Sequence, residues 1–288
     1  MTDKLEDPVE TQDPAAFPLE KRLVAAEAKV EQRGSRITDL AHELIEARAQ
    51  LKDLRRQVHQ YRTVVDRLRP LGTWLKELPP EHLRLNVGTV TTESNFLAQG
   101  AGSSARVMQE FDPSAGPMLD WGCGSGRTLN WLLADPAWKD VYYGCDVDAA
   151  AIAWLKERGV RAEVCGDEPP LPYPDNTFAG IFSFSVLTHI PPTKHRAWYE
   201  EFRRVLKPGG RVFCTTCGDH TLRVDSARLE TLKPQIDECG WAFSETEGHY
   251  KHIAVATRAY TSNAFAGLLE EESYGQYNNM DAFVLRKP

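Results

Sequence analysis

Hydrophobic side chains in the first quarter of the chain recur in alternating steps of four and three residues, from Leu19 to Leu68. Such steps place the side chains on one stripe of a helix. About seven heptads in a row are typical of a coiled coil rather than of a globular helix. One step falls on the polar Arg33 beside Gly34, where we expect a weaker or kinked helix. The pattern therefore predicts a coiled coil over residues 19–69.

The residues on this stripe also predict how many helices pack together. Leucine and β-branched residues fill one core position of each heptad, leucine and alanine fill most of the other, and this mixture favours two parallel strands. Across such a pair Arg22 would face Glu27, and Glu43 would face Arg48. About 50 residues rising 1.5 Å each would form a rod of about 75 Å, too long for one small domain to cover. We expect a parallel homodimer; a trimer, or a helix folded back on its own domain, are the alternatives.

Composition changes on both sides of the predicted coil. Residues 1–18 are acidic, carry three prolines and have few apolar groups, so we expect a disordered tail. The second half of the coil, residues 48–69, has seven basic and two acidic residues. This charge indicates a solvated coil face, or a surface that docks to an anionic partner such as a lipid-linked glycan at a membrane or another protein. Pro70 ends the coil, and residues 70–112 form a linker before the next domain, 113–288.

Within residues 113–288 short apolar runs alternate with helical periods. Such alternation is the βαβ pattern of a parallel sheet covered by helices on both faces. The predicted strands are 117–121, 141–145, 161–165, 178–184, 210–216, 241–246 and 280–286. The predicted helices are 127–134, 149–157, 193–206 and 226–239. The predicted fold class is therefore α/β, a doubly wound and mostly parallel seven-stranded sheet preceded by a long coiled-coil helix.

Charge and cysteine content narrow the class of protein. A net charge of −7 does not favour nucleic-acid binding. The first residues carry no apolar signal-peptide core, and no apolar run approaches the roughly 18 residues of a membrane helix. We therefore expect a cytoplasmic protein whose six cysteines are reduced. Cys214 and Cys217 have C-x-x-C spacing, but residues three apart point to opposite faces of a strand, and no second pair completes a zinc set.

A glycine-rich turn links the first predicted strand to the next helix, Asp120-Trp-Gly-Cys-Gly-Ser-Gly-Arg127. Glycines let the backbone turn sharply and approach a ligand, and the following helix offers free N–H groups at its start. The spacing is G-x-G-x-G after an acid, and it differs from the G-x-G-x-x-G of dinucleotide sites. Asp146 follows the second strand, where a carboxylate can accept two hydrogen bonds from a ribose diol. Asp148 would cap the helix after it.

These features resemble the first two motifs of class I S-adenosylmethionine-dependent methyltransferases. Two later segments extend the resemblance to the bacterial small-molecule and glycan type. One is Gly166-Asp-Glu-Pro-Pro-Leu-Pro-Tyr-Pro-Asp-Asn-Thr-Phe178, after the third strand. The other runs from Ser183-Phe-Ser-Val-Leu-Thr-His-Ile190 to Leu206-Lys-Pro-Gly-Gly210, although Ala179 stands where the family usually has an acid. The resemblance covers residues 80–288 but not the coil, and it implies the Rossmann-like methyltransferase fold.

The resemblance also implies where the cofactor S-adenosylmethionine would bind. Asp146 would hold the ribose, and Asp167 would accept the adenine amino group, with Glu168 as its competitor. Residues 70–112 would cap this pocket. The implied cofactor-binding residues are Asp120, Gly122, Gly124, Gly126, Asp146, Val147, Asp167, Glu168 and Phe184.

Several side chains are candidates for work on the methyl acceptor. A hydroxyl or amine needs a proton acceptor, and His189 and His220 follow the fourth and fifth strands, at the edge where ligands of α/β sheets bind. Helix capping or core packing is the alternative for His189. Arg127 could hold the cofactor carboxylate or an anionic acceptor, and His249, Tyr250 and His252 could line the acceptor pocket. A divalent metal would need several clustered carboxylates, so none is predicted.

The resemblance thus implies an enzyme that transfers a methyl group from S-adenosylmethionine to a hydroxyl of a sugar, glycan or secondary metabolite, as in polysaccharide biosynthesis. S-adenosylhomocysteine would be the product. No nucleic-acid partner is expected, because the run Ser183–Val186 differs from the N-P-P-Y type of many nucleic-acid and protein methyltransferases. Two alternatives stay open. One is N- or C-methylation of a small metabolite, and the other is a coiled-coil scaffold whose methyltransferase fold binds cofactor without catalysis.

Overall fold

The computed structural model describes residues 21–52 with gaps, 75–85, 92–224, 229–244 and 252–288. The chain divides into two compact units, Met1–His59 and Gln60–Pro288. The predicted tail and most of the basic half of the coil lie outside the described residues. The predicted boundaries between tail, coil, linker and domain therefore stay predictions.

In the first unit every described residue between 21 and 52 is helical and exposed. The apolar side chains of the predicted seam share this exposure, since 47% to 69% of their surface is open to solvent. They are Leu23, Val30, Ile37, Leu40, Leu44 and Leu51. The described residues of this stripe are thus exposed apolar side chains.

The described residues of the second unit form nine strands. They are β1 Met118–Trp121, β2 Tyr142–Asp146, β3 Ala162–Val164, β4 Phe178–Ser183, β5 Leu206–Thr216, β6 Trp241–Ser244, β7 Ile253–Ala256, β8 Glu270–Tyr277 and β9 Met280–Arg286. Seven of the strands described form one sheet in the order β3-β2-β1-β4-β5-β9-β8. Strands β1 to β5 run parallel, whereas β9 is antiparallel to both β5 and β8. This confirms the predicted fold class, a mostly parallel seven-stranded sheet.

Helices cover both faces of the sheet. The α-helices described in this unit are Glu81–Leu85, Glu93–Glu110, Leu129–Leu132, Pro136–Lys139, Ala149–Lys156, His195–Val205, Asp219–Val224, Lys233–Cys239 and Arg258–Phe265. Short 3₁₀ helices occupy Pro113–Ala115, Leu187–His189, Pro192–Lys194 and Glu230–Leu232. None of the helices in the described part of the chain has an apolar stretch long enough to cross a membrane.

The strand predicted at 241–246 was assigned to the wrong sheet, and two strands, β7 and β8, were not predicted. The run at 241–246 does form a strand, β6, but it pairs with β7 in a separate two-stranded sheet. The seventh strand of the main sheet is instead β8, Glu-Glu-Glu-Ser-Tyr-Gly-Gln-Tyr. As an edge strand that is mostly exposed, β8 needs no apolar face over most of its length, so hydrophobic alternation could not reveal it.

One helix prediction was too long. The predicted helix 127–134 is only Leu129–Leu132, because Asp135 and Pro136 start a separate helix in which the Asp135 side chain caps Ala137 N at 3.1 Å. Asp and Pro at these positions are typical of a new helix start. The predicted helix 226–239 lies partly outside the described residues, and its described part contains the 3₁₀ helix Glu230–Leu232 and the α-helix Lys233–Cys239.

The hydrophobic core lies on both faces of the parallel strands. On one face Trp121 packs against Trp198 and Phe202, with ring centroids 4.5 and 4.9 Å apart. On the other face Phe182 packs against Tyr142 and the helices. Parallel strands buried on two faces need continuous apolar runs, which is why β1 and β4 were found from sequence.

Helix Glu93–Glu110 lies against the turn that follows β1. A Cβ on Gly100 would come 2.3 Å from Arg127 O, so only glycine permits this approach. The hydroxyls of Ser103 and Thr128 are 2.9 Å apart, and Trp131 Nε1 donates to Leu97 O at 2.9 Å. These contacts hold the helix across the glycine turn.

Candidate functional site

A cavity of about 990 Å³ opens at the carboxyl ends of the parallel strands. Its lining includes Trp121 at the end of β1, Asp146 at the end of β2, Cys165 after β3 and Phe184 after β4. In open α/β sheets ligands bind at this edge. A volume of this size is at the upper end of the range for small-molecule sites.

The glycine turn forms one wall of the cavity. Gly122 and Gly124 line it and have φ values of +79° and +51°, in the left-handed region that favours glycine. A Cβ on Gly122 would lie 2.1 Å from Val186 Cγ2. Gly126, with a φ of +88°, is not part of the lining and closes the turn toward Leu129. The turn thus exposes bare backbone to a ligand.

Asp146 is the acid at the centre of this wall. It is 8% exposed, its Oδ2 accepts from Gly124 N at 2.7 Å, and its Oδ1 accepts from Asp148 N at 2.9 Å. Burial raises the pKa of Asp146. A carboxylate offers about four acceptor positions, so both oxygens keep capacity for a ligand's hydroxyls. The neighbouring Val147 also lines the cavity.

Asp148 has the structural role expected of it. Its side chain caps helix Ala149–Lys156 by accepting from Ala150 N at 3.0 Å and Ala151 N at 3.1 Å. It is absent from the cavity lining. The two acids of this segment therefore have separate functions.

After β3, the two acids that are candidates for the adenine amino group, Asp167 and Glu168, are also placed differently. Asp167 lines the cavity, whereas Glu168 does not, and the Glu168 carboxylate pairs with Lys194. Farther along, Leu171 N donates to the buried Glu201 at 2.7 Å, which anchors the loop to helix His195–Val205. Of the two acids, Asp167 is the one available to a ligand.

Asp120 lies behind the glycine turn and not in the cavity lining. It is 3% exposed and accepts a hydrogen bond from Tyr142 Oη at 2.9 Å. Burial raises the pKa of Asp120 to about 7. Its hydrogen-bond partner therefore belongs to β2, the neighbouring strand.

His189 lines the cavity, as does His252, and the two are in contact. His189 Nδ1 lies 2.9 Å from the backbone oxygen of His252. Since a carbonyl oxygen can only accept, the proton is assigned to Nδ1, which leaves Nε2 as an acceptor. Burial lowers the pKa of His189, which favours the neutral ring. The ring is thus set up to accept a proton at Nε2.

His220, the second candidate base, is placed differently. It is absent from the cavity lining, and its Nδ1 lies 2.6 Å from Oδ1 of Asp281, which is fully buried. From sequence position alone His220 was nearly as good a candidate base as His189, because both follow a parallel strand. The two histidines differ in the structure because His220 is paired with Asp281, a residue of β9.

The other predicted residues have mixed outcomes. Arg127 and Phe184 line the cavity, and Arg127 Nη1 donates to Gln99 Oε1 at 2.8 Å, within the segment predicted to cap the pocket. His249 and Tyr250 lie outside the described residues. Among the residues that are described, no group of three or more His, Cys, Asp or Glu side chains is arranged to hold a metal ion.

Sequence reasoning missed one side of the cavity. The missed residues are Lys194, Phe243, Tyr277, Asn278 and Met280. Four of them lie on hairpins β6–β7 and β8–β9, whose position relative to the parallel strands has no local signal. The turn Asn278-Asn279 between β8 and β9 is the one available clue, since asparagine favours such turns.

Residues 119–214 match the family described as "Methyltransferase domain". This segment of the chain is therefore similar to a methyltransferase domain. The match begins in β1 and ends in β5, so it includes the glycine turn, Asp146, Asp167 and His189. It leaves out hairpins β6–β7 and β8–β9 and the first unit of the chain.

Curated relatives of the methyltransferase domain act on different acceptors. The chain is 28% identical over 130 residues to the "tRNA N(3)-cytidine methyltransferase METTL2" of Gallus gallus, which covers 41% of this chain and 34% of the relative. It is 30% identical over 145 residues to the "Malonyl-[acyl-carrier protein] O-methyltransferase" of Herminiimonas arsenicoxydans, covering 50% and 51%. It is 28% identical over 131 residues to the "27-O-demethylrifamycin SV methyltransferase" of Amycolatopsis mediterranei, covering 43% and 45%.

The chain thus spans about half the length, or less, of these relatives. One of them is named for an action on tRNA. The expectation that nucleic acid is not a partner is therefore unsupported. A shared methyltransferase domain fixes the type of fold without fixing the acceptor.

The pKa of Asp120 predicts a pH dependence of the free energy of unfolding. Because folding raises this pKa from 3.8 to about 7, the unfolded chain releases the proton first as the pH increases. Stability should therefore fall between about pH 4 and pH 7, by up to about 1.4 kcal/mol per pH unit, and level off above. In urea titrations across this range, Asp120→Asn should remove this part of the slope. Parallel curves for the two proteins would contradict the assignment.

Proposed function

We propose that this chain is an S-adenosylmethionine-dependent methyltransferase that methylates a hydroxyl group of a small molecule. The observation that carries the proposal is one cavity lined by the glycine turn, Asp146, Asp167 and His189. Three of these features suit the cofactor, and the fourth suits removal of a proton from the acceptor. The domain match supports the same enzyme class.

The residues of the cavity fit the chemical groups of the cofactor. Bare backbone at Gly122 and Gly124, both with a positive φ, admits a ligand, and a Cβ on Gly122 would meet Val186. The buried carboxylate of Asp146 suits a ribose diol, and that of Asp167 suits the adenine amino group. The guanidinium of Arg127 suits the carboxylate of the methionine part. Bound S-adenosylmethionine would supply a methyl group on a positively charged sulfur, ready for direct displacement.

His189 is the proposed general base. Its Nδ1–H is held by the His252 carbonyl, so Nε2 can accept the proton of an acceptor hydroxyl as the new bond to oxygen forms. The protein's larger contribution is alignment of acceptor and methyl group, which can be worth about 7–11 kcal/mol. The cavity walls around His189 would hold the acceptor in line with the methyl group.

The acceptor would lie against the missed side of the cavity. We name Phe243, His252, Tyr277, Asn278 and Met280 the acceptor wall. Three of its five side chains are aromatic or aliphatic, which suits an acceptor with an apolar face. This favours a secondary metabolite over a glycan within the predicted class, and the rifamycin and malonyl-carrier relatives are consistent with that.

A tRNA acceptor is the second candidate, favoured by the similarity to the tRNA cytidine enzyme. Transfer of labelled methyl from the cofactor to bulk tRNA would support it. Transfer to hydroxyl-bearing metabolites without transfer to tRNA would support the first proposal. N- or C-methylation would appear in the same assay as a product that resists ether cleavage. Cofactor binding without transfer to any acceptor would favour the scaffold.

We further propose that the N-terminal helix pairs with a second copy of this chain. Its apolar seam is uncovered in the single chain, and its sequence charges are complementary across a parallel pair. Burying such a stripe against an identical one is the usual way to remove it from water. The basic residues after position 48 lie mainly outside the described part, and docking through them stays a prediction.

If Asp146 holds the ribose, substitutions of Asp146 and Asp148 should have different effects on cofactor affinity. Asp146→Ala should weaken S-adenosylhomocysteine binding at least about tenfold, because it removes charged hydrogen bonds worth about 1.5–3 kcal/mol each. Asp148→Ala should lose a helix cap, worth about 1 kcal/mol, and keep its affinity. Titration calorimetry on both variants and the wild type measures this. Equal affinities for all three would refute the ribose assignment, and absence of binding to the wild type would refute the enzyme proposal.

The base assignment predicts a loss of transfer without a loss of binding. In His189→Asn the amide can still donate to the His252 carbonyl, but no group replaces Nε2. Transfer of labelled methyl to an active member of a panel of phenols, alcohols and sugars should fall about 10²–10⁴-fold. S-adenosylhomocysteine affinity should stay near that of the wild type. Full transfer activity in this variant would exclude His189 as the base.

The seam predicts which helix positions control assembly. Ile37→Asp with Leu44→Asp places two charges in the seam and should convert a dimer to a monomer in sedimentation equilibrium. Val24→Asp with Ile45→Asp is the matched control, because these apolar residues are as exposed as the seam but lie beside it. A monomeric wild type, or a control pair that dissociates as readily, would contradict the coiled-coil dimer.

A further inference from the structure

Asp281 is a buried carboxylate that the proposed chemistry does not use. It lies at the start of β9, opposite Thr216 of β5, and is 0% exposed. A buried charge of this kind is costly unless several donors surround it.

Four hydrogen bonds converge on the Asp281 carboxylate. Oδ1 accepts from His220 N at 2.8 Å and from the His220 ring Nδ1 at 2.6 Å. Oδ2 accepts from Asp219 N at 3.1 Å and from Tyr274 Oη at 3.0 Å. Burial and the Asp281 carboxylate raise the pKa of Tyr274, which keeps its hydroxyl a donor. The carboxylate is fully satisfied, and it holds the segment after β5 against the β8–β9 hairpin.

The same segment also holds the other hairpin. Ala256 N, in β7, donates to Cys217 O at 2.8 Å, and Arg258 N donates to Asp219 Oδ1 at 3.2 Å. On its other side Thr221 Oγ1 donates to the backbone oxygen of Asn279 at 2.7 Å. Residues 217–221 are thus bonded both to β7 and to the β8–β9 turn.

These two hairpins carry the acceptor wall. Phe243 and His252 belong to β6 and the approach to β7, while Tyr277, Asn278 and Met280 surround the β8–β9 turn. His189 is tied to this assembly as well, because its Nδ1 bonds to the His252 carbonyl. The cofactor motifs, in contrast, lie on β1 to β3.

We propose that Asp281 and His220 are positioning residues that lock both hairpins of the acceptor wall to the end of β5. The role of His220 is then to donate through Nδ1 to Asp281, and its Nε2 takes no part in methyl transfer. This inference rests on the proposed function for the meaning of the wall. The coupling between the hairpins stands on the contacts alone.

The space around the carboxylate shows that the arrangement is tightly constrained. A Cβ on Gly218 would lie 2.4 Å from Asp281 Oδ2 and 2.7 Å from Ala256 O. Glycine at this position allows the β5 segment to reach the carboxylate and β7 at once. A small shift of any one partner is therefore transmitted to the others.

Amide hydrogen exchange, measured by NMR on the full chain, tests the coupling without a known acceptor. The reporters are the amides of Ala256 and Arg258, which touch neither Asp281 nor His220 directly. In His220→Leu and Asp281→Asn these amides should exchange about tenfold faster, since hydrogen bonds to a buried charge are lost. The control amides of Gly122 and Gly124 should keep their rates, and S-adenosylhomocysteine affinity should stay within about twofold by calorimetry.

His220→Asn is the matched variant, because its amide nitrogen can occupy the place of Nδ1 while nothing replaces Nε2. It should keep the exchange rates of Ala256 and Arg258 within about twofold of the wild type. Unchanged rates in His220→Leu, or equally fast rates in His220→Asn and His220→Leu, would overturn the proposal. If Asp281→Asn does not fold, the His220 pair decides alone. If the wild type did not bind S-adenosylhomocysteine, the proposed function would be contradicted. The exchange rates would still test the coupling between the hairpins.

Discussion

The hydrogen bond from Gly124 N to the Asp146 carboxylate, 2.7 Å long, is the contact on which the site depends. It joins the turn after β1 to the end of β2, two strands that are already paired in parallel. The carboxylate can accept this bond because it is buried beside the turn, and the turn can approach because it has no side chain there. One interaction therefore shapes the ligand wall and fixes the acid within it.

The two sides of the cavity are held in place by different kinds of contact. The proposed cofactor side consists of strand ends that the sheet itself holds in place. The proposed acceptor side consists of two hairpins fastened to the segment after β5 by a buried carboxylate and a few backbone bonds. Such an arrangement lets the cofactor side stay the same while the hairpins differ. It agrees with a family match that stops inside β5, and with relatives that share the domain but are named for different acceptors.

The sequence predicted what depends on local pattern. Strands β1, β2 and β4 were found because they are buried on both faces. The glycine turn and Asp146 were found because they follow predicted strands with a recognisable spacing, and Asp167 through the family resemblance of the segment after β3. It did not predict β8, a polar edge strand, or the separate β6–β7 sheet. It could not distinguish His189 from His220, because the difference lies in contacts with His252 and Asp281 that are distant along the chain. These were decided by tertiary packing, which local pattern does not encode.

In our proposal one cavity holds S-adenosylmethionine against Asp146 and presents its methyl group to His189. A crystal structure of the protein with S-adenosylhomocysteine tests this most directly. We expect the ribose hydroxyls within hydrogen-bonding distance of the Asp146 carboxylate, the adenine amino group at Asp167, and the sulfur on the side of the cavity that faces His189. A ligand bound elsewhere, or a ribose directed away from Asp146, would contradict the account.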